Sequence, residues 1–250
     1  MKSLKFLLIF ALAIIFTLGV TGQASPEKDE LAKAQQLANQ GNTDEAIKVL
    51  TGMMEKYPDN FEVVQSYMMM KKFPDKDAGI TAIEELVNKY PQNSAILFAK
   101  AFLMTEDGKL DQALALTEKL TAMKPDNSVY WLLKGQILEG MDKGNEAFDS
   151  YEKATSLDPK NANAWQIKAG MQAKMKKYDD AVASYTKAIE LVPAQPVFIY
   201  NRGCAFCLKG DNTNALTDLA KAISLNPQFK SYATQDEDYK SLWDNEEFKK

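Results

Sequence analysis

Small apolar, large apolar and polar positions recur along this chain as a ladder. Counting back from Pro159, Ala154 lies five residues before it, Tyr151 eight, Ala147 twelve, Gly135 twenty-four and Trp131 twenty-eight. Pro193 heads the same series with Ala188, Tyr185, Ala181, Ala169 and Trp165. Pro227 heads Ala222, Leu219, Ala215, Gly203 and Ile199, and Pro125 heads Leu120, Thr117, Ala113, Ala101 and Leu97. Pro58 heads a shorter series of Met53, Leu50, Ala46 and Ala34. Pro58, Pro91, Pro125, Pro159, Pro193 and Pro227 are separated by 33, 34, 34, 34 and 34 residues. A fixed period of this length predicts helical hairpins stacked in series.

The residue types explain the ladder. Two helices approach closely only where side chains are small, so Ala34, Ala101, Gly135, Ala169 and Gly203 mark the middle of each first helix. Ala46, Ala113, Ala147, Ala181 and Ala215 mark the facing second helices. Trp131, Trp165, Tyr151 and Tyr185 are expected to fill the space beside those contacts. The prolines close each hairpin because proline cannot continue a helix interior. Asn60, Asn93, Asn127 and Asn161 each follow a proline by two residues and are expected to cap the next helix. Gly41, Gly108 and Gly210 fit helix C-termini that need a left-handed residue.

This pattern resembles the tetratricopeptide repeat, whose signature is W-x2-L-G-x2-Y, then A-x3-F, then P. The resemblance covers residues 28–229 and implies an all-α, α-α superhelix (solenoid) of about six hairpins. The second repeat departs from it: Phe61 to Lys72 lacks a clear small residue, and Phe73 to Gly79 is expected to form an altered turn. A drifted repeat held by its neighbours is the simpler account; a local change of curvature is the other. After Pro227 the period stops. Residues 230–250 carry Tyr232, Tyr239, Leu242, Trp243 and Phe248 among many charges, which suits a C-terminal capping helix.

The first 22 residues stand outside the repeats. Lys2 and Lys5 precede the apolar run Phe6–Val20, and Val20-Thr-Gly22 offers a small-residue cleavage site, the pattern of a secretory signal peptide. Residues 23–27 form a short linker. The expectation is an exported periplasmic or secreted protein with no membrane insertion after cleavage; an uncleaved N-terminal anchor is the alternative. Fifteen apolar residues fall short of the roughly 20 that span a bilayer.

Composition narrows function further. Removing Lys2 and Lys5 from 30 basic residues leaves 28 against 34 acidic ones, a net charge of −6. Nucleic-acid binding calls for the opposite field, and Arg202 is the one arginine. With no histidine in the chain, histidine-based triads, bases and metal sites are excluded. The sequence therefore predicts no enzyme, no cofactor and no metal site. Cys204-Ala-Phe-Cys207 is the one motif suggesting chemistry. A thiol-redox role is the alternative reading, but the pair lies inside a first helix rather than at a helix start, and two thiols without histidine do not complete a four-ligand zinc site. The expectation is two helix-face fillers.

In the resembled family the first helices line the concave surface, along one face at spacing i, i+3, i+7, i+10. The third repeat then offers Phe98 and Phe102, the fourth Leu132 and Gln136, the fifth Gln166, and the sixth Tyr200 and its neighbour Asn201. A packing role for Phe98 and Phe102 is equally open. The lysines of the family's carboxylate clamp are missing, and only Asn201 sits at a matching place. The resulting expectation is an adaptor that holds a protein or peptide partner in this groove. A structural subunit bound through its convex face or tail is the alternative.

Overall fold

The computed structural model describes residues 25–71 and 73–249. The expected signal segment, residues 1–22, lies outside them. The chain divides into two compact units, one ending at Asp126 and one beginning at Asn127.

The first unit contains α1 (Pro26–Asn39), α2 (Thr43–Lys56), α3 (Phe61–Lys71), α4 (Lys76–Lys89), α5 (Ser94–Glu106) and α6 (Leu110–Met123). The second contains α7 (Ser128–Gly140), α8 (Gly144–Leu157), α9 (Ala162–Lys174), α10 (Tyr178–Leu191), α11 (Pro196–Lys209) and α12 (Asn212–Leu225). These pair in order into six hairpins among the described residues. No helix among the described residues is long and apolar enough to cross a membrane.

The boundaries follow the sequence chemistry. Each second helix stops two residues before its proline, at Lys56, Lys89, Met123, Leu157, Leu191 and Leu225. The residue between has left the helical region, as the ring that follows it demands; Tyr57, for example, has φ −129° and ψ 70°. Asn60, Asn93, Asn127 and Asn161 accept hydrogen bonds from the backbone N–H of Val63, Ile96, Val129 and Ala164, at 3.2, 2.9, 3.0 and 3.0 Å. Gly41, Gly108 and Gly210 carry φ of 84°, 72° and 88° at the turns inside three hairpins. The same turn in two others forces Asp142 and Lys176 to φ 59° and 60°, a cost that the sequence ladder did not reveal.

The small positions are where helices meet. Ala34, Ala46, Ala101, Ala113, Ala147, Ala169, Ala181 and Ala215 are fully buried. Gly135 goes further, because a Cβ there would lie 2.5 Å from Tyr151 Cδ1. Tyr151 and Tyr185 are buried as expected, whereas Trp131 and Trp165 are only half-buried. The Trp165 ring stays at the rim because its Nε1 donates to the Pro159 carbonyl at 3.0 Å and Lys168 stands over its face.

The second hairpin differs from the rest. Its turn ends at Asp75, which caps α4 by accepting from Ala78 N at 2.8 Å, so Gly79 lies inside α4 and not in the turn. α3 packs on α2 and α5 but lacks the close approach to its own partner α4 that marks the other hairpins. The physical reason lies in side-chain size. Gly79 takes the small place of the second helix, but Phe73 at 3.7 Å and Met68 at 3.9 Å from where its Cβ would be fill the seam between the two helices.

Past Pro227 the capping segment is not one helix. It breaks into α13 (Gln228–Ala233), a 3₁₀ turn (Glu237–Leu242) and α14 (Glu246–Lys249). Phe229, Ala233, Tyr239 and Leu242 are buried in one cluster with Ile199, Tyr200 and Leu219 of the last hairpin. Tyr232 faces solvent instead.

Candidate functional site

The first-helix residues expected to line a groove separate into three groups. In the first unit, Phe98 is 2% exposed and Phe102 is 7% exposed. The Phe98 ring meets Phe61 of α3 edge-on, with centroids 5.0 Å apart. α5 is apolar around most of its circumference and is buried accordingly, so both phenylalanines are core residues and not free ligand anchors. The sequence could not decide this, because an inward position is open only if nothing else covers it.

In the second unit, Leu132 is buried, Gln136 of α7 is exposed, and Gln166 of α9 and Asn201 of α11 are half-buried. Beside them, Glu139 of α7 forms an ion pair with Lys174 of α9 and accepts a hydrogen bond from the buried Tyr151 hydroxyl at 2.7 Å. Partial burial works against the Glu139 carboxylate, but Lys174 and Tyr151 outweigh it and hold the group below the ordinary glutamate range. Burial first, then Glu139, drives the Tyr151 hydroxyl well above its ordinary pKa. The Glu139 carboxylate on this face is thus already paired, and beside that pair the face offers the amides of Gln136 and Gln166.

The third group is covered by the chain itself. The 3₁₀ turn lies on the face of α11 that carries Tyr200, Cys204 and Cys207. Tyr200 donates its hydroxyl to Asp236 Oδ2 at 2.7 Å, and its ring packs on Phe229 and Tyr239 with centroids 4.7 and 5.3 Å away. Tyr239 enters the notch left by Gly203 and donates to the Tyr200 carbonyl at 3.0 Å. Cys207 Sγ lies 3.1 Å from Ser241 Oγ. Tyr200 is therefore not available as a groove anchor. An aromatic residue after the last proline was the available signal, but its docking on Gly203 joins positions too far apart in sequence for periodicity to link them.

Both cysteines are free thiols, buried on this face. Burial, followed by the Asp236 and Asp238 charges, pushes the Cys204 thiol far up, and burial likewise raises Cys207. Reactive thiols need the reverse environment, so the geometry works against redox nucleophilicity here. Arg202 is also structural: its guanidinium donates to both Asp218 oxygens at 2.7 and 2.8 Å and to Thr186 Oγ1 at 3.1 Å, joining α10, α11 and α12.

Comparison with known proteins agrees with this architecture. Profiles of the tetratricopeptide repeat match residues 30–60, 77–137, 129–161, 162–195 and 198–229. The TPR repeat-containing protein PA4667 of Pseudomonas aeruginosa is 33% identical over 86 residues, which is 34% of this chain and 15% of that protein. This chain thus aligns with a small part of that relative's length. Among solved structures, MamA superposes with a TM-score of 0.57 at 21% identity, over 63% of this chain and 92% of that one. A tetratricopeptide repeat protein from Parabacteroides merdae gives 0.57 at 17% identity, over 88% and 94%. YrrB, described as a TPR protein with an unusual peptide-binding site, gives 0.57 at 15% identity, over 75% and 98%. These likenesses establish a shared fold. With its hairpin ladder, asparagine caps and matched repeats, the chain belongs to the tetratricopeptide-repeat family.

Proposed function

We propose that this protein is a non-enzymatic adaptor of the cell envelope that holds a peptide segment of a partner protein against the first-helix face of its second unit. The observation that carries the reading is the chain's own tail. Residues 236–242 sit on the inward face of α11 as a bound segment would, through one buried aromatic ring and a few side-chain hydrogen bonds. The equivalent faces of α7 and α9 keep Gln136 exposed and Gln166 half-buried beside the neutralised Glu139. Amides of this kind suit the backbone of an extended segment, whose N–H and C=O groups need partners. YrrB offers a precedent for peptide binding on this fold. Export is proposed from the basic start, the short apolar run and the small residues at 20–22.

Photo-crosslinking residues introduced at Gln136 and Gln166, with Lys187 on the outer surface of α10 as control, test the site in cells. Capture of one partner from Gln136 and Gln166 but not from Lys187 is expected. Capture from Lys187 alone refutes the groove and favours a structural subunit bound through its outer face. Cell fractionation with N-terminal sequencing tests export, which predicts a first residue of Gln23 or Ser25 and fails if membrane-bound protein begins at Met1.

A further inference from the structure

The tail brings together groups that the sequence keeps apart. Cys204 of α11, and Asp236 and Asp238 at the start of the 3₁₀ turn, place one thiol sulfur and two carboxylate oxygens within 4.8 Å of one another. Cys204 Sγ lies 3.8 Å from Asp236 Oδ2. In a tetrahedral zinc site with Zn–S near 2.3 Å and Zn–O near 2.1 Å, neighbouring sulfur and oxygen ligands stand about 3.6 Å apart. The Cys204–Asp236 pair is therefore spaced nearly as a shared ion would space it, and an oxygen of Asp238 lies within 4.8 Å of both. The set comprises one soft and two hard donors, which suits a borderline cation better than calcium or magnesium.

The charges around it point the same way. Asp236 and Asp238 stand together without an ion-pair partner among the described residues. The cations nearby in sequence are committed elsewhere, Lys240 to Glu237 at 3.0 Å and Arg202 to Asp218. The Asp238 carboxylate makes no hydrogen bond among the described residues, whereas Asp236 is already oriented. Its Oδ2 accepts from the Tyr200 hydroxyl at 2.7 Å and its Oδ1 from Asp238 N at 3.1 Å. A carboxylate fixed by a buried hydroxyl is the kind of support that metal ligands receive from their surroundings. Cys204 is 7% exposed, yet its sulfur faces these carboxylates and not only the apolar core.

We propose that Cys204, Asp236 and Asp238 form a zinc-class divalent metal site that pins the C-terminal tail onto the inward face of the last repeat. The Cys204 thiol releases its proton to water as the sulfur ligates, and water takes the fourth position. Cys207, which shares a hydrogen bond with the Ser241 hydroxyl, stays outside the set. The absence of histidine excluded a site built on the two thiols alone; the carboxylates of the tail replace the missing ligands. The consequence is a tail whose grip on α11 depends on metal.

The test titrates cobalt(II) into the full chain, purified reduced and metal-free, and follows the near-ultraviolet sulfur-to-cobalt band, with zinc added as competitor. One cobalt per chain, displaced by zinc, is expected. Cys204→Ser should abolish the band, Asp238→Asn should weaken binding at least about tenfold, and Cys207→Ser should leave it intact. Asp238 is exposed and unpartnered, so its variant remains folded and informative even if the Cys204 change disturbs the core. No band in the wild-type chain, a band that survives Cys204→Ser, or unchanged affinity in Asp238→Asn each overturns the site.

Discussion

Gly135→Ala and Gly170→Ala make the same chemical change inside two helices of the second unit, yet they should act with opposite sign. Removing a glycine from a helix interior gains about 0.5–1 kcal/mol in either case. At Gly170 the added methyl has room, since the nearest atom, Tyr185 Oη, is 3.5 Å away. At Gly135 it would stand 2.5 Å from Tyr151 Cδ1, against the roughly 3.5–4.0 Å of a relaxed carbon contact. The ring must retreat by about 1 Å, but Tyr151 is fully buried and its hydroxyl is tied to Glu139. Overpacking of this kind costs about 1–3 kcal/mol, and breaking a hydrogen bond to a charged group costs about 1.5–3 more if the ring swings away. The net expectation for Gly135→Ala is a loss of up to about 2.5 kcal/mol if the Tyr151 hydrogen bond holds and about 1.5–5.5 kcal/mol if it breaks, against a gain of about 0.5–1 kcal/mol for Gly170→Ala. Urea unfolding followed by tryptophan fluorescence reads both, because Trp131, Trp165 and Trp243 all lie in the second unit. A Gly135→Ala midpoint at or above that of the wild-type chain would show that the seam between α7 and α8 is not closely packed, and the reading of every small position would fall with it.

Lys176→Gly should raise the urea midpoint by an amount equivalent to about 1 kcal/mol, since the residue sits at φ 60° where the equivalent Gly210 sits at 88°; a lower midpoint refutes the strain argument. Glu139→Gln should lower the melting temperature at neutral pH and converge on the wild-type value in acid. The Glu139 pKa is depressed in the fold, so its contribution is present above the ordinary glutamate pKa and is lost as pH falls through the folded value. A gap that persists unchanged in acid argues against an ionic origin. Trp165→Ala should cost less than the roughly 3–5 kcal/mol typical of a buried tryptophan, because the ring is half-exposed; a full-sized loss by the same assay would mean the ring is core.

What the sequence disclosed, and what it withheld, divides by the range of the interaction. The asparagine caps, the prolines, the turn glycines and the alanine seams act within one hairpin, and residue type alone decides them. Asp142 and Lys176 escaped notice because their neighbours impose the left-handed turn while the residues themselves carry no sign of it. Phe73 and Met68 compensate a small residue, Gly79, across a seam, and a ladder of single positions does not register compensation of that kind. Phe98, Phe102 and Tyr200 lie on first helices as the spacing predicts, but whether an inward side chain meets solvent depends on everything else that reaches the same face.

The tail is the extreme case of that dependence. Asp236-Glu-Asp238 reads as a solvated charge run and Cys204-Ala-Phe-Cys207 as filler when each is considered within its own helix. The notch at Gly203 changes both readings at once, because it admits Tyr239 and carries the carboxylates of Asp236 and Asp238 to the thiol of Cys204, 32 and 34 residues away in sequence. The same contact removes Tyr200 from the set of groove residues. One missing side chain therefore decides where the chain can still bind a partner and whether it can bind a metal. Gly203→Ala puts the two questions to a single experiment. Its methyl would collide with the Tyr239 hydroxyl, so it should release the 3₁₀ turn, abolish the cobalt band and expose Tyr200, while leaving capture from Gln136 in place because that residue lies two helical hairpins away from the notch. Loss of capture together with loss of metal would tie the groove to the tail and refute their independence.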